Sequence, residues 1–316
     1  MVRRKDNAKQ KRPGAKKRPV QARLPKATRS SISLADFDAV RGDFDTNDVL
    51  GSTRLRVDIL QQPNDTTCGP TCLQAIYRYW GDSIKLNTVI DEVPALAEGG
   101  TLAVFLACHA LRRGYRARIF TYNLHVFDPT WFGGNHRGVS GRSAVSIEDR
   151  LRKQMASKND TKLQLATLGY LDFLKLGGEL AFEDLRPEVF LRFLTSGQPI
   201  LTGLSATWLY RSMRELGETN TPSDTAGEPA GHFVVLSGYN HRTNSVLVAD
   251  PYRMNPAFGD QYYEVSFDRL ITAILLGIVT YDANLLVIEP AQMGNDRRAP
   301  RKTATASKRV GRKSAS

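Results

Sequence analysis

The sequence predicts an α+β fold: an N-terminal helical half packed on a C-terminal antiparallel sheet, with a largely helical insertion. Three observations predict it. Apolar residues recur at helical spacing at Leu73, Ile76, Tyr77 and Trp80, and again over Leu102–Arg113. The later chain carries short β-rich runs, Gln198–Leu204, Gly231–Tyr239 and Ser245–Pro251, bounded by turn residues. Between the two, helical periodicity over Ile147–Leu174 marks residues 122–181 as an insertion.

In chain order, residues 1–30 form a basic tail and residues 31–56 an irregular lead-in of acidic and small residues. The main domain spans 57–290. It opens with a short strand, Val57–Leu60, that runs into a polar loop holding Gln62, and the helix begins at Cys68. Thr101 caps the next helix, which stops at Gly114, and Tyr115–Thr121 alternates as a strand. The insertion starts with a Gly- and turn-rich stretch, Asn123–Ser143, around the aromatic group Phe127–Phe132. It serves either as a lid or substrate wall, or as a packed satellite of helices. Pro187–Thr195 reads as a helix ended near Gly197, followed by a central strand. The polar loop Glu215–Pro229 then leads into His232, either as a gate or as an inert connection. Asn240–Asn244 turns the chain between two strands, Leu285–Ile288 closes the sheet, and residues 291–316 form a second basic tail.

Charge divides the chain sharply. Its net charge is +12 over 316 residues, yet residues 1–30 alone carry about +11 and residues 297–316 about +8, which leaves about −7 for residues 31–296. Tails of this composition bury too little apolar surface to offset chain entropy, so disorder is expected. They are suited to non-specific contact with a polyanion, nucleic acid or anionic lipid, or else act only as solvating segments. The strongly apolar run Ile271–Val279 is too short to span a bilayer, and no signal-peptide pattern follows the basic start. Three cysteines, two of them four residues apart on one helix, point to reduced thiols and a cytoplasmic location.

The chemistry centres on Cys68. A thiol on the first turn of a helix lies in the positive end of the helix dipole, which favours thiolate. Gln62, six residues upstream, supplies an amide donor that reaches the space before the sulfur, as acyl transfer requires. His232 begins one strand and Asp250 ends its partner. A hairpin centred near His241 sets them opposite each other, and an offset of a residue or two keeps them neighbours. A histidine held by a carboxylate is the base a thiol nucleophile needs. His109, His125, His136 and His241 read as helix-surface or loop residues. The competing reading of Cys68 is a small apolar residue packed at a helix start. Metal binding by Cys68 and Cys72 is disfavoured by the loose spacing and the lack of a second Cys pair, so no metal and no cofactor are expected.

Together, Gln62, the Cys68-Gly69-Pro70-Thr71-Cys72 helix start, the His232-Phe233-Val234-Val235 strand and the Asp250-Pro251 strand end resemble the papain-like cysteine peptidases of the bacteriocin-processing, C39 and C39-like, kind. The resemblance covers roughly residues 57 to 290. It implies a peptide or amide substrate, Cys68 as nucleophile, His232 as base, Asp250 as orienting residue and Gln62 in the oxyanion hole. One departure stands out. Transporter-fused members place Asp directly before the cysteine, whereas this chain has Thr67 there and Asp65 two residues earlier. That favours the stand-alone C39-like branch. The same four residues also suit an acyltransferase or transpeptidase. A non-catalytic peptide-binding module with a papain-like cleft is the third reading, but it would not need all four.

Overall fold

The β-rich runs assemble into one eight-stranded sheet in the computed structural model, which describes residues 52–132, 146–217 and 219–291. Both basic tails, apart from residue 291, and residues 31–51 of the lead-in lie outside the described residues.

The lead-in ends in a strand, β1 (Thr53–Arg54), paired with Tyr239 and Gly238. Val57–Leu60, expected as a strand, is irregular. Its backbone bonds locally and to a side chain instead, with Val57 N donating to Leu55 O (3.0 Å) and Ile59 N to the Tyr262 hydroxyl (3.0 Å). Three helices follow: α1 (Cys68–Tyr79), α2 (Leu86–Glu92) and α3 (Ala103–Arg112). Thr101 does not cap α3; Leu102 takes the cap position and the Thr101 hydroxyl donates to Pro94 O (2.7 Å). Strand β2 (Tyr115–Thr121) comes next.

In the insertion, α4 (Ile147–Ser157) and α5 (Thr161–Lys175) carry the predicted periodicity, capped by Ser146 and Asp160. It ends in β3 (Glu179–Ala181), which joins the sheet parallel to β2. This edge strand was not legible, because three residues are too few to show a period. Residues 133–145 of the Gly-rich stretch lie outside the described residues.

The remaining elements are α6 (Pro187–Leu194), β4 (Ile200–Ser205), α7 (Ala206–Tyr210), the small hairpin β5 (Glu215–Leu216) and β6 (Thr221–Pro222), β7 (Gly231–Asn240), β8 (Ser245–Ala249), β9 (Tyr262–Ser266), α8 (Phe267–Leu276) and β10 (Asn284–Pro290). The sheet order is β3-β2-β10-β4-β7-β8-β9, antiparallel except for β2–β3. The last strand, expected near Leu285–Ile288 to close the sheet, is β10; it lies inside the sheet, between β2 and β4, and is buried over Asn284–Ile288. A strand covered on both faces reads as a continuous apolar run, as Leu285–Ile288 does.

Two apolar layers hold the sheet. On one face α1, α3 and α5 bury Leu73, Ile76, Leu106 and Phe173 against Leu201, Val235 and Leu286. On the other, α6, α7 and α8 bury Phe190, Leu209 and Leu270 against Ile200, Val234 and Leu236. Alternate residues of β7 thus face opposite cores, as a pleated strand requires. The helical N-terminal half packs on the sheet as expected, and C-terminal helices add the second cover.

Candidate active site

The polar loop before α1 is organised by Asn64. Its Oδ1 accepts from the Thr66 backbone N–H (3.0 Å) and hydroxyl (2.9 Å), and its carbonyl accepts from the Thr67 hydroxyl (3.0 Å) and Gln62 Nε2 (2.9 Å). Gln62 N donates to Pro251 O at 3.0 Å, which ties this loop to the residue after Asp250. The helix then starts at Cys68. Gly69 makes the approach possible, since a Cβ there would lie 2.7 Å from Thr101 Cγ2 and 3.2 Å from the Phe233 ring. One turn later the Cys72 thiol donates to Phe233 O (3.2 Å), pinning α1 to β7 beside His232. Cys68 is thereby set against the His232 ring.

His232 is buried on β7, opposite Leu204 of β4. Its Nε2 donates to Asp250 Oδ1 at 2.8 Å, which leaves Nδ1 for the Cys68 thiol, its hydrogen-bonding neighbour. The hairpin register differs by two residues from one that sets His232 opposite Asp250. Asn240 pairs with Ser245, so the turn centres on residues 242–243, and β7 is irregular between Leu236 and Gly238. Asp250 lies just past the end of β8 and bridges the offset.

Asp250 is fully buried and its carboxylate accepts four hydrogen bonds. Besides His232, Oδ1 accepts from Tyr252 N (2.8 Å), while Oδ2 accepts from the hydroxyls of Tyr210 and Tyr263, both 2.7 Å. Burial alone would lower the His232 pKa, but the Asp250 carboxylate, the bond to it and the Cys68 thiol outweigh burial and push it up to about 10. Burial, then the charge of Asp250, drives both tyrosines well above their ordinary value, so they are fixed donors.

A cleft of about 400 Å³ opens in front of this line, with Gln62, Cys68 and His232 in its wall. Gln62 Oε1 is buried without a partner, and Nε2 spends one hydrogen on Asn64 O and keeps a second. The wall also holds Asp282, whose carboxyl burial pushes up to about 7, against the pull of the Thr280 hydroxyl, Lys162 and His232.

Of the four residues singled out in the sequence, Gln62, Cys68 and His232 line the cleft and Asp250 stands behind His232. Tyr210, Tyr252, Tyr263 and Asp282 carried no signal in the sequence, and Cys72 stood out only as the end of the helix-start motif, one helical turn from Cys68. Asp65 lines the cleft but accepts from Asn220 Nδ2 (3.0 Å), and Asp128 bonds Thr130 (2.6 and 2.8 Å). His109 corrects the reading of a surface histidine: it is buried, with Nδ1 on the Tyr77 hydroxyl (2.8 Å) and Nε2 on Glu92 (2.9 Å). His136 lies outside the described residues. Among the described residues no group of three or more His, Cys, Asp or Glu suits a metal ion, and no helix is long and apolar enough to cross a membrane.

Comparison with curated proteins gives no match. Among solved structures, this chain is similar to a Bacillus anthracis protein described as a C39-like peptidase, at 16% identity and TM-score 0.38, over 75% of this chain and 97% of that one. A cysteine protease of Xylella fastidiosa, xylellain, is similar at 12% identity and TM-score 0.36, over 76% and 86%. So is a double-glycine motif protease from an AMS/PCAT transporter, in complex with its leader peptide, at 12% and 0.36, over 75% and 94%. Residues 184–270, which hold His232 and Asp250, match the model of the Peptidase_C39 like family.

Proposed function

We propose that this protein is a cysteine peptidase that cleaves a peptide or amide bond through a thioester on Cys68. The observation that carries the reading is the buried line from Cys68 through His232 to Asp250, open to a cleft on the Cys68 side. The Cys68 thiolate adds to the substrate carbonyl, and the resulting oxyanion takes hydrogen bonds from the free hydrogen of Gln62 Nε2 and from the backbone at the α1 N-terminus. His232 gives its Nδ1 proton to the departing amine as the C–N bond breaks and the thioester remains. Water, losing a proton to the same nitrogen, then releases the acid and restores the thiolate beside the protonated ring. Asp250 holds the ring and stabilises its charged form.

Iodoacetamide is expected to label Cys68 at neutral pH well before Cys72 or Cys108. Burial pushes Cys72 well up and Cys108 up to about 12, and both are sealed in the core. Peptide mass spectrometry after short exposure reads the order, and equal labelling of the three would remove the activated thiolate. Gln62→Ala is expected to lower kcat by about 10²–10³, the usual effect of removing one oxyanion donor. An unchanged kcat would take Gln62 out of the mechanism.

A further inference from the structure

We propose that Asp282 is a specificity-determining residue that receives a cationic group, a lysine or arginine side chain of the substrate, in the cleft beside His232. The inference rests on the peptidase reading and adds a substrate class to it.

Asp282 is only 6% exposed, yet it forms part of the cleft wall. It lies against Gly231, where a Cβ would be 2.1 Å from Asp282 Oδ2, so a side chain at 231 would displace the carboxylate from its place next to His232. A carboxylate removed from water this far is costly unless it is paired. The Thr280 hydroxyl stands beside Asp282 but donates to Gly277 O (3.1 Å), and among the described residues Asp282 has no ion pair. The neighbouring cations are engaged elsewhere: Lys162 sits over the Tyr281 ring, 5.1 Å from its centroid, and His232 is bound to Asp250. The side left open is the cleft.

The rest of the wall has the same sign. Asp65, Glu98 and Glu215 line the same cleft, with Lys162 and the Asp250-bound His232 as the basic residues set against them. Burial, then the charge of Asp65, raises the Glu215 carboxyl, as expected where negative groups crowd without a counter-ion. A concave site of one sign concentrates ligands of the other, so a basic peptide is favoured both in approach and when seated.

The test is a positional scan of fluorogenic peptides on the full-length protein, placing lysine, arginine, norleucine or glutamine at each position in turn. At one position kcat/KM is expected to favour lysine or arginine over norleucine by about tenfold or more, the range of a charge-assisted hydrogen bond. Raising the salt concentration should narrow that preference. Asp282→Asn keeps the shape and removes the charge, and should bring the ratio close to one, mainly through KM. In parallel, Cys68→Ala and Cys68→Ala/Asp282→Asn proteins are titrated calorimetrically with the same lysine and norleucine peptides. Cleavage without a basic preference at any position, or an Asp282→Asn loss equal on all peptides, overturns the proposal while the peptidase reading stands. Binding that prefers lysine and depends on Asp282, with no turnover by the wild type, has the opposite meaning: the subsite stands and the peptidase reading falls. If Asp282→Asn does not fold, the preference of the wild type and its salt dependence decide.

Discussion

Cys68→Ala is expected to remove turnover, with kcat falling on the order of 10⁶-fold, as happens when one member of a nucleophile–base unit is lost. The reason lies in how the site divides the work. In the proposed mechanism Cys68 is the one group that forms the bond to carbon, so removing it would leave only the cleft and the proposed oxyanion donors. His232→Ala should cost nearly as much, because without the imidazole there is neither a partner for the thiolate nor a proton for the departing amine. The double variant should then be little worse than either single one, since both remove the same step. Hydrolysis of a fluorogenic peptide, with the fold of each variant checked by thermal melting, reads these values. Full independence of the two losses, or a Cys68→Ala protein that keeps turnover within about tenfold of wild type, would end the thioester mechanism.

The parts of this site that were legible in the sequence are those in which chemistry and secondary structure coincide. Cys68 marks a helix start, and His232 marks the start of a strand whose neighbour ends at Asp250, so a residue type and a periodicity point to the same place. A hairpin register needs only a turn to be located, and an error of two residues still left His232 and Asp250 in contact because Asp250 lies just beyond its strand. What stayed hidden is what the tertiary fold alone brings together. Tyr210 lies forty residues before Asp250 and Tyr263 thirteen after it, each on a different element, and neither spacing has a period that reveals their shared partner. His109 looked exposed because it sits among the basic residues that end α3. Tyr77 and Glu92, from two other helices, satisfy its two ring nitrogens. The fold shows the same division. The long apolar strand β7 was plain, whereas the irregular stretch 57–60 was misread because extended apolar residues do not reveal whether their backbone bonds reach a neighbouring strand or a tyrosine hydroxyl.

Asp250 carries the second large effect, and it separates orientation from stability. Asp250→Asn is expected to lower kcat on the order of 10⁴-fold, the loss seen when the orienting carboxylate of a nucleophile–histidine–carboxylate set becomes an amide. It should also move the alkaline limb of kcat/KM. In the wild type His232 keeps its proton up to about 10, raised from an ordinary 6.5. The proton needed by the departing amine is therefore available through neutral pH and is lost as pH rises through about 10. Without the carboxylate, burial dominates and pulls the ring down, so the limb should fall to well below its wild-type position. The same raised value fixes the sign for folding: the stabilisation from the His232–Asp250 pair is complete below the ordinary histidine value and fades as pH climbs toward about 10. Asp250→Ala goes further. It leaves the hydroxyls of Tyr210 and Tyr263, the Tyr252 N–H and the His232 ring without their acceptor in the core. Removing one partner of a buried pair costs about 3–5 kcal/mol, so its unfolding free energy from denaturant titration should drop by that much while Cys68→Ala scarcely moves it. An Asp250→Asn protein whose alkaline limb stays near the wild-type position would show that another group, and not Asp250, holds the proton on His232.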